Sequence, residues 1–158
     1  NISAVPATVA LINNNALEQT GSYFQSQFCG GTVIDTRWVL TAAHCLVADD
    51  GAISPGSSLS VLMGSTDLNE PVNQPVSVTR IIVHEDYVPS RQSFDIALLQ
   101  LEYDALVPAT PIDQQLVQIN DMAFIAGWGA LESGATGQQQ TFPTKLRGAF
   151  VRMVPGAE

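Results

Sequence analysis

Two side chains that could perform nucleophilic catalysis together lie in separate apolar segments of this sequence. His44 lies near the end of the segment Trp38–Cys45, and Asp95 begins the segment Asp95–Leu101. An imidazole titrates near neutrality, so it can take a proton from a hydroxyl nucleophile and return it to a leaving amine. A carboxylate at the start of an apolar strand can be buried and oriented towards such a ring. The two residue types therefore predict a general base and its orienting acid.

Both residues also have other roles open to them. An isolated histidine can be a core residue that bonds a backbone carbonyl, and an aspartate at a strand start can cap local backbone groups. Zinc is a further alternative, because His44 and His84 with Glu85 or Asp86 have the right ligand types. Their spacing is poor, since the sequence has no His-Glu-x-x-His or Cys-x-x-Cys motif. The sequence therefore predicts no metal site and no cofactor.

Short apolar runs between turn residues indicate the elements that must position the pair. Hydrophobic residues make up 46% of the chain, and 12 Gly and 9 Pro interrupt them, which favours many short strands over long helices. Turns are predicted at Asn13–Asn15, 49–51, 54–58 and 69–71. The predicted strands, which suit one small closed barrel in an all-β fold, are Val9–Ile12, Phe24–Ile34, Trp38–Ala42, Leu59–Met63, Val76–His84 and Asp95–Leu101.

The rest of the chain predicts a linker and the start of a second unit. Residues 102–120 contain Pro108 and Pro111 and no long apolar run, as expected for an extended connection. Strands are predicted over Met122–Gly127 and Lys145–Val154. The predicted domains are a first β-barrel at 1–101, a linker at 102–120 and the first strands of a second β-barrel at 121–158.

The charge balance excludes some partners. Six Lys and Arg against 15 Asp and Glu give a net charge of -9 over 158 residues. Such a surface repels phosphate backbones and anionic lipids, so we expect no nucleic-acid partner. No apolar run reaches the roughly 18 residues that a membrane span needs, so no membrane partner is expected either.

The two cysteines, Cys29 and Cys45, flank a strand–turn–strand segment and could form a bridge or remain buried thiols.

Four motifs in the same order resemble those of the chymotrypsin-like (trypsin-like) serine endopeptidases. They are Thr41–Cys45 (TAAHC), Asp95–Leu99 (DIALL), Cys29–Ile34 (CGGTVI) and Ala126–Gly129 (AGWG). The resemblance implies a double Greek-key β-barrel, with the first barrel nearly complete and the second partial in this chain. It also implies a Ser-His-Asp triad that contains His44 and Asp95 and hydrolyses protein or peptide substrates.

The same resemblance assigns further residues. It implies a disulfide between Cys29 and Cys45, and hence an oxidising, secreted or extracytoplasmic location. Tyr87 matches a position where the family often has a tyrosine beside the catalytic histidine, so it is a candidate substrate contact. Some members bind calcium through the loop that matches 64–76, but here the loop is short and its acidic candidates, Asp67 and Glu70, are better interpreted as a solvated turn.

The family pattern is not complete in these residues. There is no Ile-Val-Gly-Gly start and no Gly-Asp-Ser-Gly-Gly segment, so we expect truncation at both ends relative to the family's catalytic domain. Ser57, Ser58 and Ser133 lie in ordinary loops without a nucleophile motif. The nucleophilic serine and the oxyanion hole are therefore expected outside this chain. The remaining C-terminal part of the protease could supply them as a second chain. This chain alone should be inactive. A non-catalytic binding homologue of the same fold is the alternative.

Overall fold

A closed barrel of six antiparallel strands forms the first part of the protein. The computed structural model describes residues 5–115, 118–131 and 140–154. Around the barrel the order is β1-β2-β3-β6-β5-β4, and β4 pairs with β1 to close it. The strands are β1 Thr8–Asn13, β2 Gln27–Asp35, β3 Trp38–Thr41, β4 Leu59–Leu62, β5 Val76–Val83 and β6 Ala97–Leu101. Each predicted barrel strand has a counterpart here, and the all-β prediction is confirmed.

Two short helices between β1 and β2 differ from the prediction. The predicted turn at Asn13–Asn15 instead begins helix α1, Asn14–Thr20, because the Asn13 side chain accepts a hydrogen bond from the Ala16 N–H. Helix α2, Tyr23–Ser26, begins after Ser22, whose hydroxyl caps the Gln25 N–H. The strand predicted from Phe24 was therefore wrong over its first three residues, since β2 begins at Gln27.

Alternating apolar side chains fill the barrel interior. In β6, Ala97, Leu99 and Leu101 are at most 2% exposed, and the residues between them are half-buried. This period of two points every second side chain inwards. The same cluster includes Val39 of β3. The paired strands β3 and β6 are therefore packed on the barrel core. They support the residues that follow β3 and those that precede β6.

Strand β1 is buried on both faces. Val9 and Leu11 belong to the barrel core, whereas Ala10 and Ile12 belong to a second cluster outside the barrel. Trp128, with Leu62, Leu68 and Leu146, completes that second cluster. The outer face of β1 thus joins the barrel to the later part of the chain.

A two-stranded antiparallel sheet of β7, Met122–Gly127, and β8, Arg147–Arg152, forms the second unit. It is the partial second sheet that the sequence predicts. Within the described ranges, each of these strands pairs only with the other. The exact division into 1–101, 102–120 and 121–158 stays a prediction. No helix among the described residues is long and apolar enough to cross a membrane.

Substituting Gly31 by Ala should destabilise the barrel. A Cβ at Gly31 would lie 2.8 Å from Val39 Cγ1 and 2.9 Å from the Leu40 carbonyl oxygen. Because one of these atoms is backbone, β2 or β3 must move, at a cost of about 1–3 kcal/mol. Gly30→Ala is the matched control, since its Cβ would meet only the Val9 carbonyl oxygen at 3.6 Å. Urea denaturation of both variants measures the difference, and equal midpoints would contradict the prediction.

Candidate active site

The register of β3 and β6 brings the two predicted catalytic residues to the same end of the barrel. Thr41 at the end of β3 pairs with Ala97 at the start of β6. Because the strands are antiparallel, residues after Thr41 and residues before Ala97 emerge together. His44 lies in the 3₁₀ turn Ala43–Cys45 that follows β3, and Asp95 lies two residues before β6. Residues 51 positions apart in sequence thus become neighbours.

Asp95 holds His44 with both carboxylate oxygens. His44 Nδ1 lies 2.7 Å from Asp95 Oδ2, and the His44 backbone N–H donates to Asp95 Oδ1 at 2.8 Å. An ionised carboxylate only accepts, so Nδ1 carries the proton, and the neutral form of the ring has its lone pair on Nε2. The side chains are 48% exposed for His44 and 24% for Asp95. The arrangement therefore leaves the basic nitrogen accessible and the carboxylate partly shielded.

The protein keeps Asp95 ionised. Burial alone would raise the pKa of this carboxyl, and it is the largest single effect. Hydrogen bonds from the His44 ring and backbone, the charge of His44 and the Ala43 backbone N–H together outweigh burial. The net result is a pKa below the ordinary 3.8, so Asp95 is an anion at neutral pH and can stabilise a positively charged imidazole.

A disulfide between Cys29 and Cys45 adjoins the pair, as the resemblance to the serine endopeptidases implies. Cys45 Sγ lies 3.7 Å from His44 Nε2. Among the described residues, Cys29, His44 and Cys45 form the one group of three whose donor atoms could converge on a metal. Both sulfurs are already bonded to each other and are not thiolates, so this group does not fit a zinc ion.

The segment before Asp95 has an unusual backbone that sequence reasoning missed. Phe94 has φ +55°, and Gln92 has φ +49°. The left-handed region costs a residue with a side chain about 1–2 kcal/mol, and it persists only where the surroundings hold it. The Phe94 ring stacks on His84, with centroids 5.0 Å apart and planes at 17°. No local sequence signal marks this conformation, because a bulky residue such as Phe94 rarely adopts it.

Tyr87, the predicted substrate contact, lies half-buried against the barrel core. Burial raises the pKa of its phenol above 10.0, and the negative charges of Asp95 and Asp49 raise it further. The ring is therefore near the carboxylate of the pair and remains a neutral phenol at physiological pH. Its role towards substrate stays a prediction.

A cavity of about 510 Å³ lies between the barrel and the second sheet. Cys29 and Gly30 of β2 line one side, and Gly127, Trp128 and Gly129 line another. It therefore adjoins the disulfide that contacts His44. Of the serines considered from sequence, Ser58 donates its hydroxyl to the Pro55 carbonyl, and Ser133 lies outside the described residues.

Comparison with known proteins gives a consistent result. The family model described as Trypsin matches residues 2–155. Trypsin Tyr p 3.0101 of Tyrophagus putrescentiae is 36% identical over 143 residues, which make up 86% of this chain and 47% of that protein. Serine protease SP24D of Anopheles gambiae is 36% identical over 133 residues, or 82% and 44% of the two chains. The solved structure of Vibrio cholerae VesB protease matches with a TM-score of 0.76 and 29% identity, covering 98% of this chain and 43% of that one.

This chain belongs to the trypsin family of serine endopeptidases, a family of enzymes with the chymotrypsin-like fold. The predicted family and the predicted fold are thereby confirmed. The chain spans less than half the length of the two curated relatives, at 47% and 44%.

Proposed function

We propose that this chain supplies the general base and the orienting carboxylate of a secreted serine endopeptidase that cleaves peptide bonds by a Ser-His-Asp mechanism. The observation that carries the proposal is the 2.7 Å contact between His44 Nδ1 and Asp95 Oδ2. It leaves Nε2 as the basic atom on a side chain that is 48% exposed. A base oriented in this way is the requirement for activating a hydroxyl nucleophile.

The reaction has two halves. His44 Nε2 takes the proton of the serine hydroxyl while the serine oxygen bonds to the scissile carbonyl carbon, whose π electrons move to oxygen. The tetrahedral intermediate then collapses, the carbon–nitrogen bond breaks, and the leaving amine receives the proton from His44. In the second half, His44 takes a proton from water while the water oxygen bonds to the acyl carbon. His44 then returns the proton to the serine oxygen as the bond between that oxygen and the acyl carbon breaks. Asp95 stabilises the imidazolium in both halves and stays ionised.

The nucleophilic serine is proposed to come from polypeptide outside these 158 residues. The cavity beside Cys29 adjoins the disulfide that touches His44, which suits a segment that must approach Nε2. The second sheet also leaves large apolar side chains uncovered: Met122, Ile125 and Phe150 are 57%, 53% and 71% exposed. Apolar patches and unpaired strand edges of this kind favour burial against further protein. The remaining C-terminal part of the protease is the proposed partner.

Secretion is supported by the disulfide between Cys29 and Cys45, because such a bond requires an oxidising compartment to persist. Culture-medium fractionation of cells that express the complete gene tests this location, and retention of all the protein inside reducing compartments would contradict it.

Labelling with a fluorophosphonate tests the function. The complete protein should be labelled on a serine outside residues 1–158, and His44→Ala should lower the labelling rate by about 10²–10⁴-fold, the contribution of a positioned general base. His84→Ala is not a suitable control because His84 contacts Phe94 and Ile96, the two neighbours of Asp95 in sequence. Lys145→Ala is suitable, since the side chain is 74% exposed and pairs with Asp67 rather than with His44 or Asp95.

The alternative hypothesis, a non-catalytic binding homologue of the same fold, predicts a different result. In that case the complete protein would carry no serine that reacts with the label, and His44→Ala would change nothing. Peptide mapping of the labelled serine decides the separate question of the partner: label within residues 1–158 would show that the nucleophile lies within this chain, whereas label on a residue outside that range supports the proposal.

A further inference from the structure

His84 contacts the residues on both sides of Asp95. Its ring stacks on Phe94, immediately before Asp95. Its backbone N–H donates to the carbonyl of Ile96, immediately after Asp95, at 3.1 Å. The Ile96 N–H in turn donates to the Phe94 carbonyl at 2.7 Å, which makes a three-residue turn with Asp95 at its centre. The direction of the Asp95 side chain therefore depends on the conformation that this turn adopts.

The contacts of Phe94 include the hydrogen bond from the Ile96 N–H to its carbonyl and the stack of its ring on His84. The Phe94 residue is 58% exposed, so burial in the core does not fix the ring. The His84 ring is itself oriented, because its Nδ1 accepts a hydrogen bond from the Asp86 N–H at 3.1 Å. An oriented ring presents a flat surface on which a second ring stacks favourably. The stack is thus the contact that can offset the unfavourable backbone of Phe94.

We propose that His84 is a positioning residue: its ring, stacked on Phe94, holds the left-handed backbone at that position and so directs the Asp95 carboxylate towards His44. The consequence for catalysis rests on the function proposed above. The consequence for the bond between His44 and Asp95 does not, because that bond lies within the described chain. The two can therefore be tested separately.

Proton exchange at the His44 ring tests the geometry without any nucleophile. In the ¹⁵N-labelled chain, the exchange rate of the Nδ1 proton with water reports how well Asp95 protects it. His84→Ala should raise that rate by about tenfold, equivalent to about 1.4 kcal/mol. His84→Phe keeps a stacking ring and should stay near the wild-type rate. His84→Asn can still accept from the Asp86 N–H but has no ring, so it should behave like the alanine variant.

A second-site substitution gives the sharper test. Asparagine adopts the left-handed region more readily than phenylalanine does. Combining His84→Ala with Phe94→Asn should therefore restore slow exchange, because the backbone no longer needs the stack. In the complete protein, His84→Ala should lower kcat by about tenfold with KM unchanged, as a misdirected catalytic group does, and Phe94→Asn should restore it.

The outcomes separate cleanly. Slow exchange retained in His84→Ala, or no rescue by Phe94→Asn in a variant whose melting temperature is unchanged, would overturn the positioning role. Rapid exchange in His84→Asn with slow exchange in His84→Phe would assign the effect to the ring; the reverse would assign it to the bond with Asp86 and overturn the proposal. A complete protein without activity would contradict the proposed function and leave the exchange result to decide this one.

Discussion

Replacing Asp95 by Asn is expected to lower kcat of the complete protease by about 10⁴-fold, the cost of losing the orienting carboxylate from a Ser-His-Asp triad. The amide can offer only one acceptor oxygen in place of the two that now bond His44 Nδ1 and the His44 N–H at 2.7 and 2.8 Å. Its NH₂ group can also donate to Nδ1, which stabilises the tautomer with the proton on Nε2. That tautomer cannot act as a base towards serine.

Steady-state kinetics on a peptide ester measure the loss, and the fold of the variant should be intact because the barrel core does not contain Asp95. Asp49→Asn is a matched control: it removes another carboxylate whose charge reaches Tyr87 without touching His44. A loss of less than tenfold in Asp95→Asn would mean that the pair seen here is structural, whereas a similar loss in both variants would point to general electrostatics.

Removing the disulfide is expected to lower the free energy of unfolding by about 3 kcal/mol, the value for a closed loop of roughly 15 residues in the chain-entropy model. Cys29 and Cys45 lie 16 positions apart. They pack against the barrel core, so Cys29→Ala with Cys45→Ala retains an apolar side chain at each position. Urea denaturation of this double variant measures the difference.

The reduced wild-type chain is the control for the disulfide prediction. It loses the same cross-link without changing any side chain, so its unfolding midpoint should fall with that of the double alanine variant. A free energy of unfolding of the variant within about 0.5 kcal/mol of that of the oxidised protein, the usual range for neutral substitutions, would contradict the prediction. It would mean that β2 and the turn after β3 are held together by packing alone.

Strand positions could be predicted well because local periodicity determines them. In β5, Val76 and Val78 are buried whereas Ser77 and Thr79 are exposed, and the sequence displays the same alternation of apolar and polar residues. His44 and Asp95 could be proposed as a catalytic pair only through family motifs, because no local property of either residue distinguishes a triad member from a capped or buried residue. Their proximity depends on the register of β3 with β6, which pairs Thr41 with Ala97 and is a non-local property.

Other features could not be predicted, for different physical reasons. Helices α1 and α2 depend on the side-chain caps of Asn13 and Ser22, and the same residue types also favour turns. The stack of His84 on Phe94 joins positions ten residues apart through a backbone conformation that phenylalanine rarely adopts. The backbone preference of phenylalanine disfavours that conformation, so tertiary contacts must stabilise it.

The double burial of β1 has a consequence for folding fidelity. Four consecutive residues, Val9 to Ile12, are 0% exposed, so polarity does not tell one side of this strand from the other. If β1 slipped by one residue along β2, its inward and outward side chains would exchange faces. Because all four are apolar, the misfit of their volumes would have to oppose the slip. Side-chain volume therefore has to determine the correct register, in which Val9 lies opposite Gly31 and Ala10 lies opposite Gly30. Enlarging Gly31, where an added Cβ would lie 2.8 Å from Val39 Cγ1, risks trapping newly made chains with these two strands misaligned.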